Sequence, residues 1–101
     1  MMEISLKDLG KTVYCIDVIN LCILKETVYA VGNGFFVPES YYLYRCEWQI
    51  IDFEITYKTL KEAKSALRKV YLDRRALHKV PVMRLVQTLE DEWAYEEKEE
   101  D

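Results

Sequence analysis

Residues 53–63 read Phe53-Glu54-Ile55-Thr56-Tyr57-Lys58-Thr59-Leu60-Lys61-Glu62-Ala63, and the period of the apolar pattern changes inside this stretch. Upstream, Ile51, Phe53 and Ile55 alternate with Asp52, Glu54 and Thr56, the period of two that suits a strand. Downstream, Leu60, Ala63, Leu67, Val70 and Tyr71 recur at the spacing that places one apolar stripe along a helix. Thr59-Leu60-Lys61-Glu62 is a capping box, in which the threonine hydroxyl accepts from the amide of Glu62 and the Glu62 carboxylate reaches back to the amide of Thr59. The spacing therefore predicts a helix over 59–79 with Lys61, Lys64, Arg68 and Arg75 on its outer side. Pro81 ends it, because proline restricts the residue before it and has no amide donor.

Between Lys11 and Tyr57 the chain is β-branched, aromatic and apolar, which predicts consecutive short antiparallel strands. In Thr12 to Ile19, Tyr14, Ile16 and Val18 form the expected buried set, opposite Val13, Cys15, Asp17 and Ile19. Asn20 marks one turn and Asn33-Gly34 another, with strands from Ile23 to Val31 and from Phe35 to Val37. Pro38 to Ser40 interrupts the ladder; Tyr41 to Glu47 and Gln49 to Tyr57 are expected to resume it. Beyond Pro81, the three-and-four spacing of Val82, Leu85, Val86 and Leu89 predicts a short helical arm over 82–88. The resulting expectation is an α+β fold. A curved, barrel-like antiparallel sheet of four to five strands carries one amphipathic helix, with a C-terminal helical arm. Residues 1–88 would form a single domain (sheet 11–57, helix 59–79, arm 82–88), and residues 89–101 an acidic tail.

Placed after a block of short strands, the run Tyr57-x-Thr59-x-x-Glu62-Ala63 resembles a pattern found in small uncharacterised proteins of phages and mobile elements. The likeness spans roughly Lys11 to Val70. It implies a compact barrel-like sheet with one helix and a small host-interacting protein, and it assigns no functional residue. The arm from Val80 and the acidic tail depart from that pattern.

Little catalytic chemistry is on offer. A chain of 101 residues, 50% hydrophobic and 32% charged, supports one modest core. The only imidazole, His78, lies among Arg74, Arg75 and Lys79, where a solvated helix residue is expected rather than the base of a nucleophilic triad. Asp52 and Glu54 read as the wet side of a strand, not as a working carboxylate pair. Gly32-Asn33-Gly34 runs from strand to strand and so suits a hairpin better than a phosphate cradle. Cys15, Cys22 and Cys46 are odd in number and set in apolar sequence, without the paired spacing of a zinc site. Packing thiols in a reducing compartment are expected, with no metal and no cofactor. Met1 to Gly10, interrupted by Glu3 and Asp8, lacks a signal-peptide core, and no apolar run would span a membrane. These features lead to an expectation of a cytoplasmic, non-enzymatic protein.

Charge is segregated along the chain. Residues 58–84 hold nine basic side chains against two acids, whereas residues 89–101 hold eight acids against Lys98, inside a chain whose net charge is −4. Such blocks create strong local potentials and point to electrostatic contact with a macromolecule. Glu90, Asp91, Glu92, Glu96 and Glu97, interleaved with Trp93 and Tyr95, suit an anchor that lays two rings into a groove while its carboxylates answer a basic surface. The leading expectation is an anti-CRISPR-like interaction protein that inhibits a host nucleic-acid-handling or defence complex through these residues. The first alternative is a nucleic-acid-binding module using Lys61, Lys64, Arg68 and Arg75, with Tyr41, Tyr42, Tyr44 and Trp48 as a stacking platform. The second is a subunit of a larger assembly. The opposed charge blocks also allow a homodimer, including one that swaps the arm from Val80 onward.

Overall fold

A computed structural model describes residues 1–44, 49–77, 82–87 and 92–97. Strands β1 (Thr12–Asp17), β2 (Cys22–Val31) and β3 (Phe35–Pro38) form an antiparallel meander, followed by helix α1 (Glu39–Tyr44). Strands β4 (Ile51–Asp52) and β5 (Thr56–Tyr57) lead into the long helix α2 (Leu60–Leu77), and β6 (Met83–Gln87) and β7 (Trp93–Glu97) make a hairpin. The main path runs β4-β3-β2-β1-β5, with β7 pairing β2 and β6 pairing β7. The expected α+β architecture holds: a curled antiparallel half-barrel with a helix packed on it.

The turns follow the chemistry of their residues. Asp17 Oδ1 accepts from the amides of Ile19 and Asn20, both at 3.0 Å, and Leu21 closes the turn at a positive φ of 53°. Gly34, at φ 85°, makes the β2–β3 turn. β2 is the longest strand and shifts register between Val28 and Ala30, so its first half pairs with β1 and its second half bends over to pair with β3. Because β4 lies against β3 and β5 against β1, the chain between them must cross from one end of the curl to the other. It does so through a 3-10 turn, Phe53–Ile55, at whose exit the Thr56 hydroxyl donates to the Asp52 carbonyl at 2.8 Å. The single strand expected over 49–57 is therefore two short strands, and Asp52 and Glu54 share no strand face.

β1 is covered on both sides, which corrects the expected buried set. Val13 and Cys15 face the half-barrel core with Ile4, Val28, Phe36 and Ile51, whereas Ile16 and the half-buried Tyr14 face the core beneath α2 with Leu21, Ile23, Ala63, Leu67 and Tyr71. Val18 lies beyond the strand, in the turn, and is 38% exposed. Alternation correctly assigns the two faces; it cannot tell that both are dry, because that depends on a helix arriving more than forty residues later.

Two helical expectations are also revised. Tyr41 to Tyr44 belongs to α1 and not to a strand, while 45–47 lie outside the described residues. Pro38 ends β3, Glu39 sits favourably at the helix N-terminus, and the Ser40 hydroxyl donates to Glu26 at 2.7 Å, tying α1 to β2. The helical arm over 82–88 is absent among the described residues: 83–87 are strand β6. Met83 and Leu85, at a spacing of two, pack on the same core as Trp93 and Tyr95, and this shared face outweighs the three-and-four pattern. α2 itself follows the prediction, with the Glu62 amide donating to Thr59 Oγ1 at 3.2 Å, and 78–79 lie outside the described residues. Arg74 ties its C-terminal half to the β1–β2 turn by donating to the carbonyls of Val18 and Ile19.

Burial pushes the Cys15 thiol up to about 12, against a weak opposing contact from Thr56, so its thiolate is scarce at neutral pH. Alkylation of Cys15 in the folded protein is expected to proceed only as fast as the protein opens, and peptide mapping after iodoacetamide pulses would measure it; immediate labelling would contradict the placement. Near the N-terminus, the Ser5 amide donates to Asp8 Oδ2 at 2.9 Å, and this bond, joined by Lys11, holds the buried Asp8 carboxyl below its ordinary range against the opposing effect of desolvation. The stabilisation is complete above the usual carboxylate range and is lost as pH falls through the lowered folded value. Asp8→Asn is therefore expected to lower the melting temperature at neutral pH and to converge on the parent in acid, as read by thermal melts across pH.

Candidate anion-binding groove

Helical geometry places Lys61, Lys64, Arg68 and Arg75 within about 60° of arc and along about 21 Å of α2. This line of cations runs beside the apolar stripe that holds α2 to the sheet. The C-terminal hairpin stands across from it and leaves a groove of about 810 Å³, lined by all four cations and by Leu60, Tyr71, Leu72, Val82, Met83, Arg84, Leu85 and Tyr95. Arg84 contributes a fifth cation from β6, held 3.3 Å from Glu96 on β7.

The aromatic residues of the groove wall are engaged within the protein. Tyr71 and Tyr95 stack with ring centroids 4.5 Å apart, and the Tyr71 hydroxyl accepts from the Met83 amide at 2.9 Å. The Lys64 ammonium lies 3.3 Å from the centre of the Trp93 ring, a cation–π contact that pins the hairpin to α2. Desolvation raises the Tyr95 hydroxyl above its ordinary value even though Arg68 pulls it down. What remains at the floor is aliphatic: Leu60, Leu72, Val82, Met83 and Leu85.

The predicted acidic anchor is thus built into the fold. Trp93 and Tyr95 turn toward α2 on strand β7, which pairs with β2 through Trp93–Ile23 and Ala94–Cys22. Glu92 is half-buried, Glu96 and Glu97 are exposed, and Glu90 and Asp91 lie outside the described residues. Of the proposed stacking platform, Tyr42 sits on α1 and stacks on Tyr29 at 4.2 Å, Trp48 is outside the described residues, and neither Tyr41 nor Tyr42 lines the groove. The structure therefore brings together the four helix cations and leaves Tyr41 and Tyr42 apart from them. Sequence reasoning missed Arg84 and the aliphatic floor. The available signal was the alternation of Met83 and Leu85 and of Trp93 and Tyr95, which reads as a hairpin once both runs are taken together.

No family model, curated protein or solved structure matches this chain. Among the described residues, no cluster of three or more His, Cys, Asp or Glu could hold a metal ion, and no helix is long and apolar enough to cross a membrane. His78 lies outside the described residues.

Proposed function

We propose that this is a small non-enzymatic interaction protein that captures an acidic segment of a macromolecular partner in the groove between α2 and β6. The observation that carries this reading is the line of Lys61, Lys64, Arg68 and Arg75 beside an aliphatic floor, with Arg84 opposite. Cations on the rim steer and orient an anionic partner, and the floor rewards apolar side chains among its carboxylates. A host nucleic-acid-handling or defence complex remains the proposed biological target, on the resemblance of residues 57–63 to phage and mobile-element proteins. Titrating the protein with an acidic-apolar peptide at rising salt tests the reading. Saturable binding that weakens with salt supports it; no binding at 50 mM salt or below rejects it.

A nucleic-acid-binding module is the second reading, favoured by cations that follow one helix face over about 21 Å, enough to meet several phosphates. Against it, Tyr71 and Tyr95 stack on each other and Trp93 lies under Lys64, so these rings are already engaged and are poor platforms for bases. A gel shift with single- and double-stranded DNA and RNA across salt separates the two. A third contact mode presents the exposed Glu96 and Glu97, continued by residues 98–101, to a basic channel of the target complex. In that mode Trp93 and Tyr95 would act by holding β7 in place.

A further inference from the structure

We infer that β6 binds its partner by strand addition: an extended peptide that alternates carboxylate and apolar side chains pairs with the open edge of β6, inside the groove. This rests on the reading of the groove as the working surface and adds how the partner is held.

The Tyr95 amide donates to the Leu21 carbonyl at 2.9 Å, so Tyr95 turns its polar backbone toward β2 and away from β6. Tyr95 is paired with Leu85. In an antiparallel ladder such a pair is of the non-hydrogen-bonded kind, and each member turns its N–H and C=O outward. Leu85 therefore points both groups away from β7. Met83, two residues earlier, confirms the parity, because its amide donates outward to the Tyr71 hydroxyl of α2 at 2.9 Å. Among the described residues β6 pairs only with β7, and none of them bonds to the Leu85 amide or carbonyl. Met83 and Leu85 line the groove, so this open edge faces the space bordered by α2.

An exposed edge of this kind is a template for another strand, and proteins that leave one open commonly use it for peptide recognition. Here the surroundings select the occupant. Apolar side chains on the face toward α2 meet Leu60, Leu72 and Met83, the alternate carboxylates on the opposite face lie on the side of Arg84, and Lys61, Arg68 and Arg75 along the groove supply the field that draws in an acidic segment. A second copy pairing β6 to β6 would bring two such lines of cations together, so charge favours an acidic partner over self-association.

The test uses the full chain and a synthetic eight-residue peptide alternating glutamate and valine, with amide hydrogen exchange followed by NMR. On saturation the Leu85 amide is expected to slow by about tenfold or more. Arg84 and Val86, whose amides already face β7, are expected to change little. Methylating one alternating set of peptide amides should abolish binding, and methylating the other should spare it, since an added strand uses only alternate amides. Unchanged exchange at Leu85, or equal binding by both methylated peptides, overturns strand addition. So does Leu85 protection that rises with protein concentration and needs no peptide, which would mark a dimer edge. If an oligothymidylate binds with steep salt dependence and the peptide does not, the inference fails while the groove stands as an anion site. If neither binds at low salt, the groove reading fails as well.

Discussion

Replacing Lys61, Arg68 and Arg75 together by glutamate is expected to weaken capture of an acidic peptide by about a hundredfold or more at low salt. The three side chains are exposed and lie on the rim, so each reversal turns an attraction into a repulsion without opening the core. Lys64 and Arg84 are left out deliberately. Lys64 covers Trp93 and Arg84 pairs with Glu96, so changing either would disturb the hairpin as well as the field. Fluorescence anisotropy with a labelled peptide measures the loss, and a thermal melt of the triple variant should stay close to that of the parent. Added salt should weaken the parent's binding steeply and reduce the difference between the two proteins. Parent-like affinity in the triple variant would remove the groove from the account.

Phe36→Ala is expected to cost about 3–5 kcal/mol of unfolding free energy. Its ring is fully buried in the half-barrel core with Val13, Cys15, Val28 and Ile51. Leu67→Ala, in the other core beneath α2, is expected to cost about 2–5 kcal/mol by the same cavity mechanism. Either loss is a large share of the roughly 5–15 kcal/mol that holds a domain folded. Urea unfolding followed by circular dichroism would measure both. Because β1 and β2 form a wall shared by both cores, the two variants should shift the same single transition rather than melt separate halves. A loss below about 1 kcal/mol for Phe36→Ala would contradict its placement.

Much of this architecture was legible in the residues, and the misses have specific causes. The threonine at 59, the stripe from Leu60 to Tyr71 and the Asn33-Gly34 turn are local signals, and local signals survive folding: α2 and the β2–β3 turn lie where those residues put them. The buried set of β1 was not legible, because whether Val13 and Cys15 or Tyr14 and Ile16 are dry is decided by partners distant in sequence. Tyr41 to Tyr44, the described part of the strand expected over Tyr41 to Glu47, is aromatic enough to suggest one, yet the preceding Pro38 and Glu39 admit a helix as readily, and the Ser40–Glu26 bond ties that helix to β2. Val82, Leu85 and Val86 fit helical spacing over too few residues to exclude a strand. Their true partner, Trp93-Ala94-Tyr95, carries acidic neighbours that suggested a free tail.

The same pairing explains why the candidate site was half visible. The cations of α2 could be placed from helix period alone, whereas the wall facing them exists only because β7 joins β2 and draws β6 alongside. Trp93 and Tyr95 stand out in the sequence as large aromatic side chains in an acidic setting. What they anchor is the protein's own hairpin to its helix.

Whether the groove between α2 and β6 is the working surface is decided by amide chemical-shift mapping of the whole 15N-labelled chain during titration with the glutamate–valine peptide. Saturable shifts are expected to cluster at Lys61, Lys64, Arg68, Arg75 and Met83 to Leu85, with Tyr29, Tyr42 and the Asp17–Leu21 turn unmoved. Shifts centred on α1 or on Glu96 and Glu97, with the groove residues unmoved, would contradict it.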